Sequence, residues 1–461
     1  MENTRPNILF ITTDQHRFDC LGINGNTQIK TPNIDALAKS GVNFSNAFVQ
    51  NTVCVPSRAC MQTGRYTHQH GVTYMETVVD DTPGLPDWEL TFMERLQESG
   101  YYTGAAGKMH MYPEKGFDWH NLTGGKGQRW LYAEGDPLGP GPLGPKYAAW
   151  LENKRKGAYE ELYQERRAQN SYKKLGVMDI PLSNEEYIET WIADESINFI
   201  NDRAGQDQPF FLWTGFCGPH GPFDPPEPYK SMYSPDEVPL PQELPEWPSW
   251  RESIDEKLMR KCIAYYWGMV TCIDDHIGRI VDSLKRKGIF DDTLIIFTSD
   301  HGEMLGERGK WGKCVFYDTT LRVPTWVKPP ANTKFVSRTA SEITEAMNVA
   351  PTILDYANVP IPENMTAQSW RPLIEGENKG MDAILSEYVT NDKKEWSKCI
   401  RTATHKYIKF FNSGKEEFYD LENDSFEQFN LAETGSQKEK MLELKDAMLQ
   451  RLAQTEPMNN Y

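Results

Sequence analysis

Cys54 lies in the segment NTVCVPSRACMQTGR, residues 51–65, which surrounds its thiol with small polar and cationic residues. Pro56 follows two positions later and Arg58 four positions later. Two interpretations of this cysteine are open: a small side chain buried in an ordinary core, or a nucleophile that is chemically altered before it reacts.

Polar and titratable residues also follow four apolar runs that are typical of buried strands. Ligands in open α/β sheets bind outside the carboxyl ends of the strands, so we expect these residues to converge on one rim. Each of them alone is more simply a turn former or a solvated charge, and their repetition at equivalent positions is what indicates a site. They are Asp14 and Gln15 after NILFITT (7–13), Lys108 and His110 after YYTGAAG (101–107), His220 after FFLWTGFCGP (210–219), and Asp300 and His301 after TLIIFTS (293–299).

The residue types at this rim suit a divalent cation and a tetrahedral oxyanion. Asp14, Gln15, Asp300 and His301 together offer two carboxylates, an amide oxygen and an imidazole, a set that fits one divalent metal ion. Without a cation, the two acidic clusters would repel each other. The remaining candidates supply positive charge or proton transfer around an anionic group: Lys108, His110, His220 and Lys313.

Alternating strand and helix patterns in the first two-thirds of the chain predict an α/β fold, with a large mixed, mostly parallel sheet sandwiched by helices. Residues 1–370 are expected to form this catalytic domain, interrupted by insertions at about 111–180 and 222–250 that lie over one rim. Residues 371–461 are expected to form a smaller α+β subdomain with a short antiparallel sheet and a terminal helix. The main helices are predicted over 33–41, 90–100, 184–200 (opened by a capping box of Ser183 and Glu186), 253–287 and 437–454.

Composition excludes several classes of partner. The 461 residues include 49 Lys and Arg against 66 Asp and Glu, a net charge of −17, so neither nucleic-acid nor membrane-surface binding is expected. No apolar run approaches the ~20 residues of a membrane span. The N-terminal segment has no signal-peptide pattern, and the eight cysteines are scattered without a CxxC pair, so we expect a cytoplasmic protein with reduced thiols.

The segment CVPSRACMQTGR (54–65) resembles the signature of the formylglycine-dependent sulfatases of the alkaline phosphatase superfamily. That signature is a Cys-x-Pro-Ser-Arg sequence that ends in Thr-Gly-Arg. Further segments are similar to elements of the same family in the same order, which makes coincidence a poor explanation. They are PNILFITTDQ (6–15), GKMH (107–110), PHGPF (219–223), SDHGEMLGERGKWGK (299–313) and RVP (322–324).

The resemblance implies a mechanism for this chain. A separate formylglycine-generating enzyme oxidises Cys54 to formylglycine, and the hydrated aldehyde attacks sulfur, then expels sulfate as the aldehyde reforms. One divalent cation is held by Asp14, Gln15, Asp300, His301 and the modified Cys54. The other implied roles are that Arg58 holds the diol or compensates its negative charge, and that Lys108 and Lys313 contact the sulfuryl oxygens. His110 assists deprotonation of the diol, and His220 is a candidate acid for the leaving group.

Two positions depart from the commonest family pattern, because many sulfatases have aspartate in place of Gln15 and asparagine in place of His301. The resemblance favours Ca²⁺, and the nitrogen ligand makes Mn²⁺ the competing ion. The same pair resembles phosphonate monoester and phosphodiester hydrolases, and choline sulfatases are also similar. We therefore expect a sulfatase acting on a small or terminal sulfated group, with the phosphonate or phosphodiester hydrolase as the alternative. The insertions and the C-terminal subdomain could support a homo-oligomer.

Overall fold

The computed structural model describes residues 5–75, 84–126, 145–169, 175–242, 255–377 and 379–456. Its largest feature is an eight-stranded sheet with the strand order β5-β4-β6-β1-β7-β8-β2-β9. A two-stranded pair, β10-β3, accompanies it. The bounds of these strands are β1 (Asn7–Asp14), β2 (Val42–Phe44), β3 (Ala47–Phe48), β4 (Tyr102–Lys108), β5 (Trp119–Thr123), β6 (Phe210–Pro219), β7 (Thr293–Ser299), β8 (Thr325–Lys328), β9 (Arg338–Ala340) and β10 (Thr344–Glu345).

The centre of the large sheet is parallel. Strand β1 lies between β6 and β7 and pairs with both in parallel, so that Leu9 lies beside Leu212 on one side and Ile295 on the other. Strand β8 runs antiparallel to both of its neighbours, β7 and β2. The mixed, mostly parallel sheet is therefore confirmed, and the carboxyl ends of β1, β4, β6 and β7 meet at one edge.

Helices cover both faces of this sheet. Alternate side chains of β1 enter different cores: Ile8 and Phe10 pack into one cluster, and Leu9 and Ile11 into the other. The helices are α1 (Pro32–Ser40), α2 (Cys54–Thr63), α3 (Thr67–His70), α4 (Phe92–Glu98), α5 (Pro145–Lys154), α6 (Ala158–Gln169), α7 (Ile188–Arg203), α8 (Glu256–Arg286), α9 (Asp318–Leu321), α10 (Val349–Tyr356), α11 (Arg371–Ile374) and α12 (Lys438–Gln454). Among the described residues, none of these helices is long and apolar enough to cross a membrane.

The predicted capping box is present but opens a shorter element than expected. The backbone N–H of Ser183 donates to Glu186 Oε2 at 3.0 Å, which closes a 3-10 turn over Asn184–Glu186. Tyr187 is extended, and the α-helix begins only at Ile188. The buried Tyr187 hydroxyl donates to Asp224 Oδ1 at 3.0 Å, a contact that ties this break in the helix to the interior.

The first predicted insertion contributes to the sheet as well as to its rim. Trp119 begins β5, which pairs in parallel with β4 at the sheet edge, and its ring packs 5.2 Å from that of Phe199. Helices α5 and α6 follow in the same insertion. Three tryptophans of the two insertions lie outside the described residues: Trp130, Trp247 and Trp250.

The C-terminal part contains the expected antiparallel sheet. Its four strands follow one another in order and are covered by α12; they are β11 (Ala383–Val389), β12 (Trp396–Thr402), β13 (His405–Phe410) and β14 (Glu416–Asp420). Apolar residues of this sheet belong to the same core cluster as Ile8 and Phe10 of β1. The boundary at residue 370 stays a prediction.

A buried ionic network joins the two predicted insertions. Lys126, which follows β5, donates to Asp224 Oδ1 and to the Tyr187 hydroxyl, both at 2.9 Å, and to the Pro222 carbonyl at 3.2 Å. Arg166 of α6 donates to the other carboxylate oxygen, Asp224 Oδ2, at 2.9 Å. The Lys126 and Asp224 side chains are 0% exposed, so the charge of Lys126 is compensated by Asp224, and that of Asp224 by Lys126 and Arg166 together.

We expect Lys126→Met to lower the free energy of unfolding by about 3 kcal/mol, because it removes one partner of a buried pair. Urea denaturation followed by circular dichroism measures this change. Lys285→Met is the matched control, since the Lys285–Asp282 pair is more than half exposed on both sides and should contribute less than about 1 kcal/mol. Equal losses in the two variants would contradict the assigned role of the network.

Candidate active site

Four residues from two strand ends and one helix form a compact cluster. Asp14 ends β1, Asp300 and His301 follow β7, and Cys54 begins α2. One ligand atom from each lies within 4.8 Å of all the others, and all four residues are buried. The expected convergence of these strand ends therefore occurs, and it brings Cys54 into the same place.

Helix α2 positions Cys54 and Arg58 together. The segment before it is extended at Val53, whose N–H donates to Asn51 Oδ1 at 2.8 Å. Pro56 is tolerated because it lies in the first helical turn, where its missing N–H has no partner to lose. Arg58 comes four residues after Cys54, and this spacing places both side chains on one face of the helix.

Arg58 holds the two acidic residues together. Its Nε donates to Asp300 Oδ2 at 2.8 Å, its second terminal nitrogen lies 3.5 Å from Asp14 Oδ2, and its first donates to the Lys108 carbonyl at 2.9 Å. The Lys108 ammonium also pairs with Asp14 Oδ2. Burial alone would raise the pKa of Asp14, but the surrounding cations, led by Lys108, hold it well below its usual range.

The cluster meets the chemical requirements of a divalent cation site. Asp14 Oδ1 is buried and has no hydrogen-bond partner in the described part of the chain. His301 Nδ1 lies 2.8 Å from the Gly302 carbonyl, which can only accept, so Nδ1 carries the proton and Nε2 keeps a lone pair. Burial lowers the pKa of His301 to about 4, which keeps the ring neutral as a metal ligand requires. Carboxylate oxygens and a neutral imidazole fit either Ca²⁺ or Mn²⁺, with the nitrogen favouring Mn²⁺.

The Cys54 thiol lies between this cluster and a lysine. Lys313 Nζ is 2.6 Å from Cys54 Sγ and 2.9 Å from His301 Nε2, while His301 Nε2 is 3.4 Å from the sulfur. Burial and the nearby Asp14 raise the pKa of Cys54, so the unmodified thiol stays protonated. Thiolate nucleophiles depend on a lowered pKa, and this environment therefore does not favour direct attack by the sulfur.

The ends of β4 and β6 bring Lys108, His110 and His220 to the same edge. Gly107 has a φ of +89°, and a Cβ there would overlap the Gly215 carbonyl oxygen, so only glycine lets the two strands approach this closely. Lys108 and His110 lie directly beyond this contact and line the cavity described below.

Burial favours the neutral form of His110 and His220. Burial, reinforced by Lys108 and Arg58, holds the pKa of His110 well below its usual range, and burial lowers the pKa of His220 to about 3. His220 Nδ1 donates to the Gly221 carbonyl at 2.7 Å, which leaves Nε2 as a proton acceptor. In this state His220 must gain a proton before it can act as an acid.

A cavity of about 430 Å³ opens directly onto these residues. Its base is polar and includes Gln15, Cys54, Lys108, His110, His220 and Lys313. Its walls are largely apolar and aromatic, and sequence reasoning did not assign them; they include Tyr74, Met75, Leu175, Phe223 and Trp311. Six of the ten site residues predicted from the sequence line this cavity. The other four are fully buried and do not line it: Asp14, Arg58, Asp300 and His301.

Gln15 lies beside the cluster with an unusual backbone. Its φ is +66°, and its N–H donates to Asp300 Oδ1 at 3.0 Å, so the residue turns sharply out of β1. Its side-chain amide donates to Glu303, a buried carboxylate to which sequence reasoning assigned no role. The sequence feature that could have identified Glu303 is its position three residues after Asp300, within the segment SDHGEMLGERGKWGK.

Comparison with known proteins decides the family. A family model described as "Sulfatase" matches residues 6–359, and a model described as "N-sulphoglucosamine sulphohydrolase, C-terminal" matches residues 306–455. The chain belongs to the sulfatase family. An arylsulfatase of Clostridium perfringens is 31% identical over 471 residues, which covers 97% of this chain and 94% of the relative. The expected family membership and sulfuric ester hydrolase class are thereby confirmed.

Solved structures of similar proteins confirm the fold. The phosphonate monoester hydrolase SpPMH from Silicibacter pomeroyi superimposes with a TM-score of 0.82 at 23% identity, over 98% of this chain and 96% of that one. The phosphonate monoester hydrolase of Agrobacterium radiobacter gives a TM-score of 0.78 at 24% identity, with the same coverage. At this level of identity the likeness establishes the α/β architecture alone.

Proposed function

We propose that this sulfatase-family enzyme hydrolyses a sulfate monoester to an alcohol and inorganic sulfate. The observation that carries the proposal is the position of Cys54, at the helix N-terminus at the base of a cavity, 2.6 Å from Lys313 and within the acidic–histidine cluster. Family membership supplies the reaction class, and this geometry supplies a place for a reacting group.

Cys54 is proposed to act as formylglycine after oxidation by a formylglycine-generating enzyme. The raised pKa of the thiol supports this, because an unmodified Cys54 would be a poor nucleophile here. A hydrated aldehyde at this position would present oxygen in place of sulfur to Lys313 and His301, and the N-terminus of α2 favours negative charge next to it.

The proposed cation ligands are Asp14, Gln15, Asp300, His301 and the modified residue 54. When bound, a divalent cation supplies Lewis-acid charge that lowers the pKa of a nearby oxygen nucleophile and draws charge from the sulfuryl oxygens. Arg58 fixes both carboxylates and so keeps the ligand set in place. Ca²⁺ and Mn²⁺ remain the two candidate ions.

The remaining polar groups are proposed to bind the sulfuryl group and move protons. Lys108 and Lys313 line the base of the cavity and present positive charge to an anionic ester. His110, as a neutral imidazole, is the proposed proton acceptor for the nucleophile. His220 is the proposed acid for the leaving group, and the negative charge of a bound ester would favour its protonated form.

The cavity supports a small or terminal sulfated group as the substrate. Its volume of about 430 Å³ suits one compact ester, and its walls of Tyr74, Leu175, Phe223 and Trp311 offer apolar contact to the alcohol portion. The chain's net charge of −17 would disfavour long polyanionic substrates.

Three esters with the same p-nitrophenol leaving group test the reaction class: a sulfate, a phenylphosphonate and a phosphate diester. Enzyme loaded with Ca²⁺ or Mn²⁺, with the oxidation state of residue 54 verified by mass spectrometry, is expected to turn over the sulfate with the highest kcat/KM. A higher kcat/KM on the phosphonate or the diester would reassign the enzyme to the alternative hydrolase class.

A further inference from the structure

Glu303 is a buried carboxylate that contacts both the proposed cation site and the segment that carries Lys313. It is 1% exposed, and both of its oxygens accept hydrogen bonds. Oε1 accepts from the backbone N–H groups of Leu305, at 3.0 Å, and of Gly312. Oε2 accepts from Gln15 Nε2. A single side chain thus joins Gln15 to the backbone directly before Lys313.

This contact fixes which way the Gln15 amide faces. A carboxylate can only accept hydrogen bonds, whereas an amide carries one acceptor oxygen and one donor NH₂ group. Gln15 must therefore present its NH₂ group to Glu303, which turns its carbonyl oxygen to the opposite side of the amide. The reverse orientation would place two acceptors in contact in a buried site, which is costly.

We propose that Glu303 is a positioning residue that holds the Gln15 amide with its oxygen available to the divalent cation. The inference rests on the cation site of the proposed function. An aspartate at position 15 would need no such partner, because both of its oxygens can bind a cation. A glutamine at position 15 can instead present its NH₂ group to the cation. This chain therefore needs a hydrogen-bond acceptor that binds the NH₂ group on the side away from the cation, and Glu303 is that acceptor.

Glu303→Gln tests the inference with little change in shape. Two backbone N–H groups require an acceptor at Oε1, so the new amide keeps its oxygen there and turns its NH₂ group toward Gln15. Gln15 then reverses and presents NH₂ to the cluster. Cation affinity is expected to fall about 10- to 100-fold, as for other residues that orient metal ligands, while the melting temperature without added metal changes little.

Glu303→Gln made in a Gln15→Glu background separates two effects of the substitution: the change in orientation of the side chain at position 15, and the loss of the negative charge of Glu303. The carboxylate introduced at position 15 offers an oxygen on either side, so an NH₂ group at position 303 can donate to one oxygen and leave the other for the cation. In that background Glu303→Gln is expected to cause no loss of affinity. The two backgrounds should therefore differ by at least about 10-fold in the effect of Glu303→Gln, a coupling typical of residues in direct contact.

The four proteins to compare are the wild type, Glu303→Gln, Gln15→Glu and the double variant. Their affinities for Ca²⁺ and for Mn²⁺ are measured by calorimetric titration and by metal analysis after dialysis. An unchanged cation affinity in Glu303→Gln overturns the inference, because the expected effect would be absent. An equal loss of affinity in the wild-type and Gln15→Glu backgrounds also overturns it, because the effect would then be one of charge alone. Wild-type protein that binds neither cation overturns the proposed site itself. Sulfate ester hydrolysis, measured in parallel, distinguishes these two failures.

Discussion

Replacing Cys54 by alanine is expected to lower sulfate release from p-nitrophenyl sulfate by about 10⁴-fold or more, because the variant has no group that can attack sulfur. The side chain lies at the base of the cavity, in contact with Lys313 and His301, where the substrate's sulfur is proposed to bind. Alanine leaves the helix backbone intact, so the fold should persist. Initial rates with metal-loaded enzyme, together with circular dichroism, measure the two effects separately.

Cys60→Ala is the matched control for this experiment. Cys60 is buried on the same helix, and its sulfur lies 3.3 Å from His70 Nε2, outside the cavity lining. This variant is expected to retain most of its activity. A wild-type rate in Cys54→Ala would remove residue 54 from the reaction and with it the proposed formylglycine.

Asp14→Asn is expected to lower cation affinity by more than about 100-fold. Loss of a residue that only orients a metal ligand costs about 10- to 100-fold, and loss of a ligand atom itself should cost more. Lys108 and Arg58 both face Asp14 Oδ2 and will retain the oxygen of the new amide. The NH₂ group then replaces Oδ1, the atom that has no hydrogen-bond partner among the described residues. Sulfate ester hydrolysis should fall with the bound metal, which elemental analysis after dialysis measures directly.

Asp274→Asn controls for the loss of a buried carboxylate elsewhere. Asp274 of α8 is 0% exposed and accepts from the backbone N–H groups of Asn33 and Ile34 at 3.1 and 2.7 Å. It lies outside the cluster, so metal content and turnover should be retained even where stability is reduced. Full metal content in Asp14→Asn would show that the unpartnered Oδ1 is not a ligand position.

Several elements could be predicted closely because their local patterns were strong. The apolar run at 7–13 predicted a strand buried on both faces, and β1 spans Asn7–Asp14. The long amphipathic pattern at 253–287 became α8, Glu256–Arg286. Strand β5 was missed because its sequence, WHNLT, lacks an apolar run, and only pairing with β4 at the sheet edge makes it a strand.

The amino-acid sequence on its own determined the mostly parallel sheet and the strand ends at which polar side chains would meet. It also determined that Cys54 and Arg58 lie on one face of a helix. These features depend on short-range periodicity and on the general rules of parallel sheets. The tertiary structure alone decided which buried groups are paired: Arg58 with Asp14 and Asp300, and Gln15 with Glu303. Such contacts join residues more than 40 positions apart and, for Gln15 and Glu303, 288 positions apart. Burial makes a polar partner necessary, but only the folded chain determines which side chain is close enough to supply it.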